Sequence, residues 1–143
     1  MNRYKTESFN VDHTTMHAPQ IRHAGRYSMD GVVVSKLDIR FCTPNKDILT
    51  RRAMHTIEHL FAEAAHSKNE RIIDFSPMGC GTGFYLTFFG EPEGMKEFIL
   101  ETFAQCLEIE EIPALNPAQC GNYTIHDLEE ARKAIRDFIT YCK

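Results

Sequence analysis

The feature that most constrains this chain is a five-residue cluster, His55-Thr56-Ile57-Glu58-His59, set inside a long helical period. From about Ile48 to Ser67, apolar residues recur at Ala53, Met54, Ile57, Leu60, Phe61, Ala64 and Ala65. That is the 3.6-residue repeat of an amphipathic helix. Thr50 is placed to cap its start. Histidines four residues apart project from one helix face about a turn apart, so both imidazoles reach a single ion. Glu58 lies on or beside the same face. The order H-x-x-E-H is that of the inverted zincins, where the glutamate stays off the metal and moves protons. Five residues alone are also compatible with solvated or core-edge side chains; the helical context favours the metal.

A catalytic metal centre needs a third protein ligand and one open position. Cys120 is the candidate, in the turn-rich segment Asn116-Pro117-Ala118-Gln119-Cys120-Gly121-Asn122. A His/His/Cys set suits zinc, Fe(II) or Co(II), and ligand softness does not choose among them. A cysteine beside glycine is equally at home as a structural residue, so the assignment rests on the set.

Cys80 stands out for a different reason. It sits in Ser76-Pro77-Met78-Gly79-Cys80-Gly81-Thr82-Gly83, flanked by glycines that permit positive φ and leave the thiol uncrowded. A thiolate beside a metal cation is favoured in its charged form and can act as a base. A phosphate-binding loop is not indicated, because the G-x-x-x-x-G-K-[ST] pattern is absent and the segment leads into a strand.

The rest of the chain supplies a frame. Val32–Phe41 reads as a strand, with three valines and then Leu37, Ile39 and Phe41 in alternation. Ile72–Phe75 and Phe84–Phe89 read as two more. Glu93-Gly94 introduces a second helix with Met95, Phe98, Ile99, Phe103 and Cys106 on its apolar side. The stretch from Ile112-Pro113 to Tyr123 reads as loop or short strand. Thr124 with Asp127 three residues on resembles a capping box for a last helix ending near Tyr141. No repeat or linker interrupts the 143 residues, so the expectation is one α+β domain, residues 1–143, with a mainly antiparallel sheet packed against about three helices.

Charge and thiols narrow the function classes. The net charge is -4 and the longest arginine run is Arg51-Arg52, so no basic stripe marks a nucleic-acid partner. The most apolar run, Phe84–Phe89, is far short of a bilayer span. The polar start, Met1–Glu7, has no apolar stretch behind it, so the expectation is a cytoplasmic protein without a signal peptide. Five cysteines without close pairing are then expected as thiols. Ser8, Asp12, His13, Arg22 and Arg40 each read, alone, as surface or packing residues. His17, His23 and His66 take no assigned role, and His126 falls to the helix-cap region.

Taken together these segments resemble the LuxS family of S-ribosylhomocysteine lyases. The resemblance runs through Ser8-Phe9-x-Val11-Asp12-His13, Ala18-Pro19-x-Ile21-Arg22, Asp38-Ile39-Arg40-Phe41-Cys42-x-Pro44-Asn45 and His55-Thr56-Ile57-Glu58-His59-Leu60. It continues through Ile72-Ile73-Asp74-Phe75-Ser76-Pro77-Met78-Gly79-Cys80, Glu111-Ile112-Pro113-Ala114 and Gln119-Cys120-Gly121. It implies a LuxS/metallopeptidase-like fold and a homodimer with active sites at the subunit interface. It also implies one divalent metal per subunit, Fe(II) natively and exchangeable for zinc or cobalt, held by His55, His59 and Cys120. Cys80 and Glu58 would carry the proton transfers, and Ser8, His13, Arg40 and Asp74 would line the substrate pocket. The implied reaction cleaves S-ribosylhomocysteine to homocysteine and 4,5-dihydroxy-2,3-pentanedione, the precursor of autoinducer-2, which links it to quorum sensing and the methyl cycle. By the same resemblance, the last helix is expected to be shorter than in longer members. Two alternatives share the helix motif: an inverted-zincin peptidase, which usually needs a further carboxylate ligand and a larger chain, and a non-catalytic protein with a closed structural metal site.

Overall fold

Strand β2, Val32–Arg40, shows how the alternation is used. Leu37 and Ile39 point into the core, and the residues that alternate with them, Asp38 and Arg40, are also buried but on the opposite face of the sheet. The computed structural model describes residues Arg3–Cys142. Around β2 the sheet is built from β1 (Gln20–Met29), β3 (Ile72–Pro77) and β4 (Gly83–Phe89), in the order β1-β2-β4-β3 with antiparallel neighbours throughout. Helices α1 (Arg51–Lys68), α2 (Met95–Cys106) and α3 (Leu128–Tyr141) complete the α+β architecture expected from the sequence. No helix among the described residues is long and apolar enough to cross a membrane.

The core lies between sheet and helices. Leu37 pairs with Leu86 and Ile39 with Phe84, and Phe75 lies beside Leu86 on the far side. Against this surface pack Ile57, Leu60 and Phe61 of α1, Ile99 and Phe103 of α2, and Ile135 and Phe138 of α3, all almost completely buried. Phe61 and Phe103 lie with ring centroids 4.5 Å apart. Aromatic burial of this kind dominates a core's energetics and fixes where α1 sits on the sheet. Gly83 is a glycine because a Cβ there would stand 2.4 Å from the Ile39 carbonyl oxygen, so only a bare backbone lets β4 close on β2.

One strand and one helix start differ from the sequence reading. Strand β1 was not anticipated. It pairs with β2 through a hairpin whose turn, Asp30-Gly31, has φ of 53° and 81° at its two central residues, the positive values such two-residue turns require. The start of α3 also moves. Asp127, not Thr124, is the N-cap, and its side chain accepts from the Glu130 N–H at 3.0 Å. Thr50 caps α1 as expected, accepting from the Ala53 N–H at 3.2 Å. The segment from Ile112 to Tyr123 contains turns and no strand.

Candidate metal centre and active site

The spacing on α1 does what the helical period demands. His55 and His59 project side by side, their rings 4.7 Å apart and nearly perpendicular. Cys120, only 7% exposed, folds back onto them from the loop before α3. Its Sγ lies 3.5 Å from His55 Nε2 and 3.7 Å from His59 Nε2. Metal–nitrogen and metal–sulfur bonds of about 2.0 and 2.3 Å at a tetrahedral angle separate the two donors by roughly 3.6 Å. The three side chains are therefore spaced for one ion.

The tautomers agree with that use. His55 Nδ1 faces the Ile125 carbonyl at 2.7 Å and His59 Nδ1 faces the Pro113 carbonyl at 2.7 Å. A carbonyl only accepts, so each Nδ1 carries the proton and each Nε2 offers its lone pair toward Cys120. The outer partners are backbone carbonyls of two loops, Pro113 and Ile125, which tie both loops to α1.

A fourth donor was not foreseen. His126 joins His55, His59 and Cys120 in a group whose ligand atoms all lie within 4.8 Å of one another. Its ring stacks on His55 at 3.9 Å, and its Nε2 is 3.9 Å from Cys120 Sγ. Burial, with the neighbouring His55 and His59, pushes its pKa down to about 4. His126 directly precedes the N-cap Asp127, in the helix-cap region expected from the sequence, and its side chain turns toward His55, His59 and Cys120.

The remaining site residues divide between two clefts. Glu58 and His55 line one, together with Met54, Pro77, Met78, Gly79, Gly121 and Asn122. Cys80 lines the other, with Ser8, His13, Arg40, Tyr85 and again Pro77, Met78 and Gly79. The Pro77-Met78-Gly79 segment is common to both clefts, and neither contains both Cys80 and Glu58. Asp74 lines neither; it is exposed on β3 and accepts a hydrogen bond from the Ser76 hydroxyl.

Arg40 proves to be the centre of a buried ionic network. It is 1% exposed and donates from Nε and Nη2 to the two carboxylate oxygens of Asp38 at 3.1 and 2.6 Å. Asp38 is also held by Arg22, which reaches on to Glu7. Arg40 Nη1 donates to Thr82 Oγ1 at 2.7 Å and lies 3.9 Å from Cys80 Sγ. The sulfur is itself 3.0 Å from Thr82 Oγ1. Gly81 follows with φ of 79°, the positive-φ turn anticipated beside Cys80. Ser8, in the 3-10 turn Glu7–Asn10, lines the same cleft as Tyr85.

The fold and the donor set define an α+β protein with an imidazole–thiol cluster that could hold a metal ion, carried on an H-x-x-E-H helix. The model of the S-ribosylhomocysteinase (LuxS) family matches residues 6–142. S-ribosylhomocysteine lyases of Clostridium perfringens are similar across the chain. That of strain SM101 is 48% identical over 132 residues, 90% of this chain and 87% of the relative. That of strain ATCC 13124 is 47% identical over 131 residues with the same coverage. The chain belongs to the S-ribosylhomocysteinase (LuxS) family. Neither the peptidase nor the structural-metal alternative gains support from these relatives.

Proposed function

We propose that the chain is a metal-dependent carbon–sulfur lyase that converts S-ribosylhomocysteine to homocysteine and 4,5-dihydroxy-2,3-pentanedione. The observation that carries this is the His55/His59/Cys120 triad at tetrahedral spacing, in a chain whose relatives are named for that reaction. The ligand set suits a borderline divalent ion, and the reading is Fe(II) natively, with zinc or cobalt able to replace it.

When bound, the metal supplies Lewis acidity to the substrate's carbonyl and adjacent hydroxyl. The chain's own groups move the protons. The thioether of the ring-opened sugar is too far from the aldehyde carbonyl to be expelled directly, so the carbonyl must first migrate along the carbon chain. Cys80 Sγ takes a proton from one carbon and returns it to the next. Glu58, beside His55 but off the triad, carries the oxygen-bound protons. Once the carbonyl reaches the third carbon, loss of an adjacent carbon-bound proton breaks the carbon–sulfur bond. The sulfur leaves with the electron pair and takes up a proton as homocysteine. No net oxidation occurs, so no redox cofactor is required. Ser8, His13 and Arg40 fit the substrate's polar groups from the Cys80 cleft, and Asp74 is assigned to the pocket by resemblance to the family.

The two-cleft arrangement supports a homodimer in which a second copy completes each active site. The same reading makes the enzyme cytoplasmic, with a small-molecule substrate and neither nucleic acid nor membrane as partner. Its product links it to autoinducer synthesis.

The direct test incubates metal-loaded protein with S-ribosylhomocysteine and titrates released thiol. Removing a positioned acid or base typically costs about 10²–10⁴-fold in rate, which is the loss expected for Cys80→Ala and for Glu58→Gln. Undiminished thiol release in both variants overturns the mechanism.

A further inference from the structure

His126 stands closer to the metal triad than its place before a helix suggests, and its proton decides its role. Its Nδ1 is 2.9 Å from Thr56 Oγ1. Thr56 is fully buried, and its oxygen already accepts from the Asp127 backbone N–H at 3.0 Å. Among the described residues the hydroxyl proton has one acceptor at hand, which is His126 Nδ1. The reverse arrangement, with Nδ1–H donating to Thr56, would leave a buried hydroxyl proton without a partner, and buried polar groups rarely stay unpaired. In the neutral ring the proton therefore sits on Nε2, the atom facing Cys120 Sγ at 3.9 Å. The three imidazoles are not equivalent. Backbone carbonyls aim the lone pairs of His55 and His59 inward, and a hydroxyl aims an N–H inward from His126.

We infer that His126 is not a fourth metal ligand but a positioning residue, which points its Nε2–H at the Cys120 sulfur. A hydrogen bond to the sulfur draws electron density away from it, so an ion held by Cys120 would be the stronger Lewis acid. Thr56 is the part that sets this. It sits on α1 between His55 and Ile57, and one hydroxyl ties the ring to the N-terminus of α3 through Asp127.

The inference rests on the triad reading, and the experiment separates the two. Long-range proton–nitrogen correlation on zinc-loaded, histidine-labelled wild type reads which ring nitrogen carries hydrogen, without any variant. The expected pattern is Nδ1–H with metal-bound Nε2 for two histidines, His55 and His59, and Nε2–H for His126. A His126 protonated at Nδ1 with metal on Nε2 overturns the inference and leaves the triad intact; a chain that takes up no zinc overturns both. The second measurement is chelator competition and X-ray absorption on His126→Ala. Loss of an outer partner costs about 10–100-fold in metal affinity, with the ligand count unchanged. A missing nitrogen in the ligand count overturns the inference. Thr56→Val frees Nδ1 of its partner and should let His126 enter the coordination sphere of a cobalt-loaded protein, changing its visible spectrum, while Thr56→Ser keeps the wild-type spectrum. Identical spectra for wild type and Thr56→Val count against the hydroxyl's role.

Discussion

Cys80 and Cys120 look alike in the sequence: each lies in a turn-rich segment and each is followed by glycine. The fold treats them oppositely. Cys120 is buried and ringed by three imidazoles; Cys80 is exposed, beside a buried arginine and a threonine hydroxyl. Local sequence sets how freely a thiol is presented, and what the rest of the chain brings to it decides its chemistry. A buried sulfur facing the lone pairs of His55 and His59 is placed to ligate a metal. One beside a guanidinium in an open cleft is free to exchange protons with something that enters.

The largest effect should come from breaking the buried partner. If His55, His59 and Cys120 hold the metal as proposed, Cys120→Ala removes one of three protein ligands, so the protein should no longer retain a stoichiometric metal. Lewis-acid stabilisation worth several kcal/mol goes with it, or at least 10²–10³-fold in thiol release on an order-of-magnitude scale. Metal analysis after dialysis checks this, and full metal retention would contradict the triad. Cys80→Ala should behave differently. It should keep the full metal content and lose about 10²–10⁴-fold in rate. If both variants lost metal equally, the division of labour between the two thiols would be wrong.

Mixing the two defects sharpens the comparison further. Should each active site draw on two copies, Cys80→Ala and His59→Ala subunits refolded together would regain activity that neither shows alone. Random pairing gives roughly a quarter of the wild-type level, because half the dimers are mixed and each has one intact site. Complementation absent from verified mixed dimers would mean that both thiols act within one subunit.

How much of this was readable beforehand depended on where the partners lie. Helix α1 was readable because its period and its motif are local: the face that carries His55 and His59 follows from counting. Strand β1 was missed because, as an edge strand that buries only Ala24, it shows no apolar alternation. Its signal was the Asp30-Gly31 pair, which turns the chain directly into Val32. Asp38 and Arg40 alternate with Leu37 and Ile39, so their shared face was visible; the cover over that face, from Arg22 and the Glu7–Asn10 turn, was not. His126 was the least visible, since its partner Thr56 is 70 residues away and no local pattern pairs them.

Smaller than these, and graded, is the reactivity of the other thiols. Burial pushes Cys106 up to about 12 and, with help from Asp47 and Cys80, Cys42 up to about 11. Both should remain protonated and slow toward iodoacetamide at neutral pH, where the thiolate is the nucleophile. Exposed Cys80 should label first, and Cys120 should label only after the metal is stripped. Mass mapping of the alkylated peptides reads the order directly, and early labelling of Cys120 in loaded protein would argue against its being a ligand.

The smallest effect should come from Asp127→Ala, which sits next to the metal cluster yet touches it only through backbone. Its carboxylate caps α3 through the Glu130 N–H, and its own N–H, which the substitution keeps, holds Thr56. Loss of an aspartate cap typically costs about 1 kcal/mol. For a chain of this length that is a fall of about 3–5 °C in the melting midpoint. The Ile125 carbonyl on His55 also survives, because it too is backbone. Calorimetry and chelator competition on the same sample should therefore show a modestly lower midpoint and nearly unchanged metal affinity. A tenfold or larger loss of metal at an unchanged midpoint would mean that the carboxylate itself helps aim the imidazoles, and the separation drawn between helix cap and metal centre would fail.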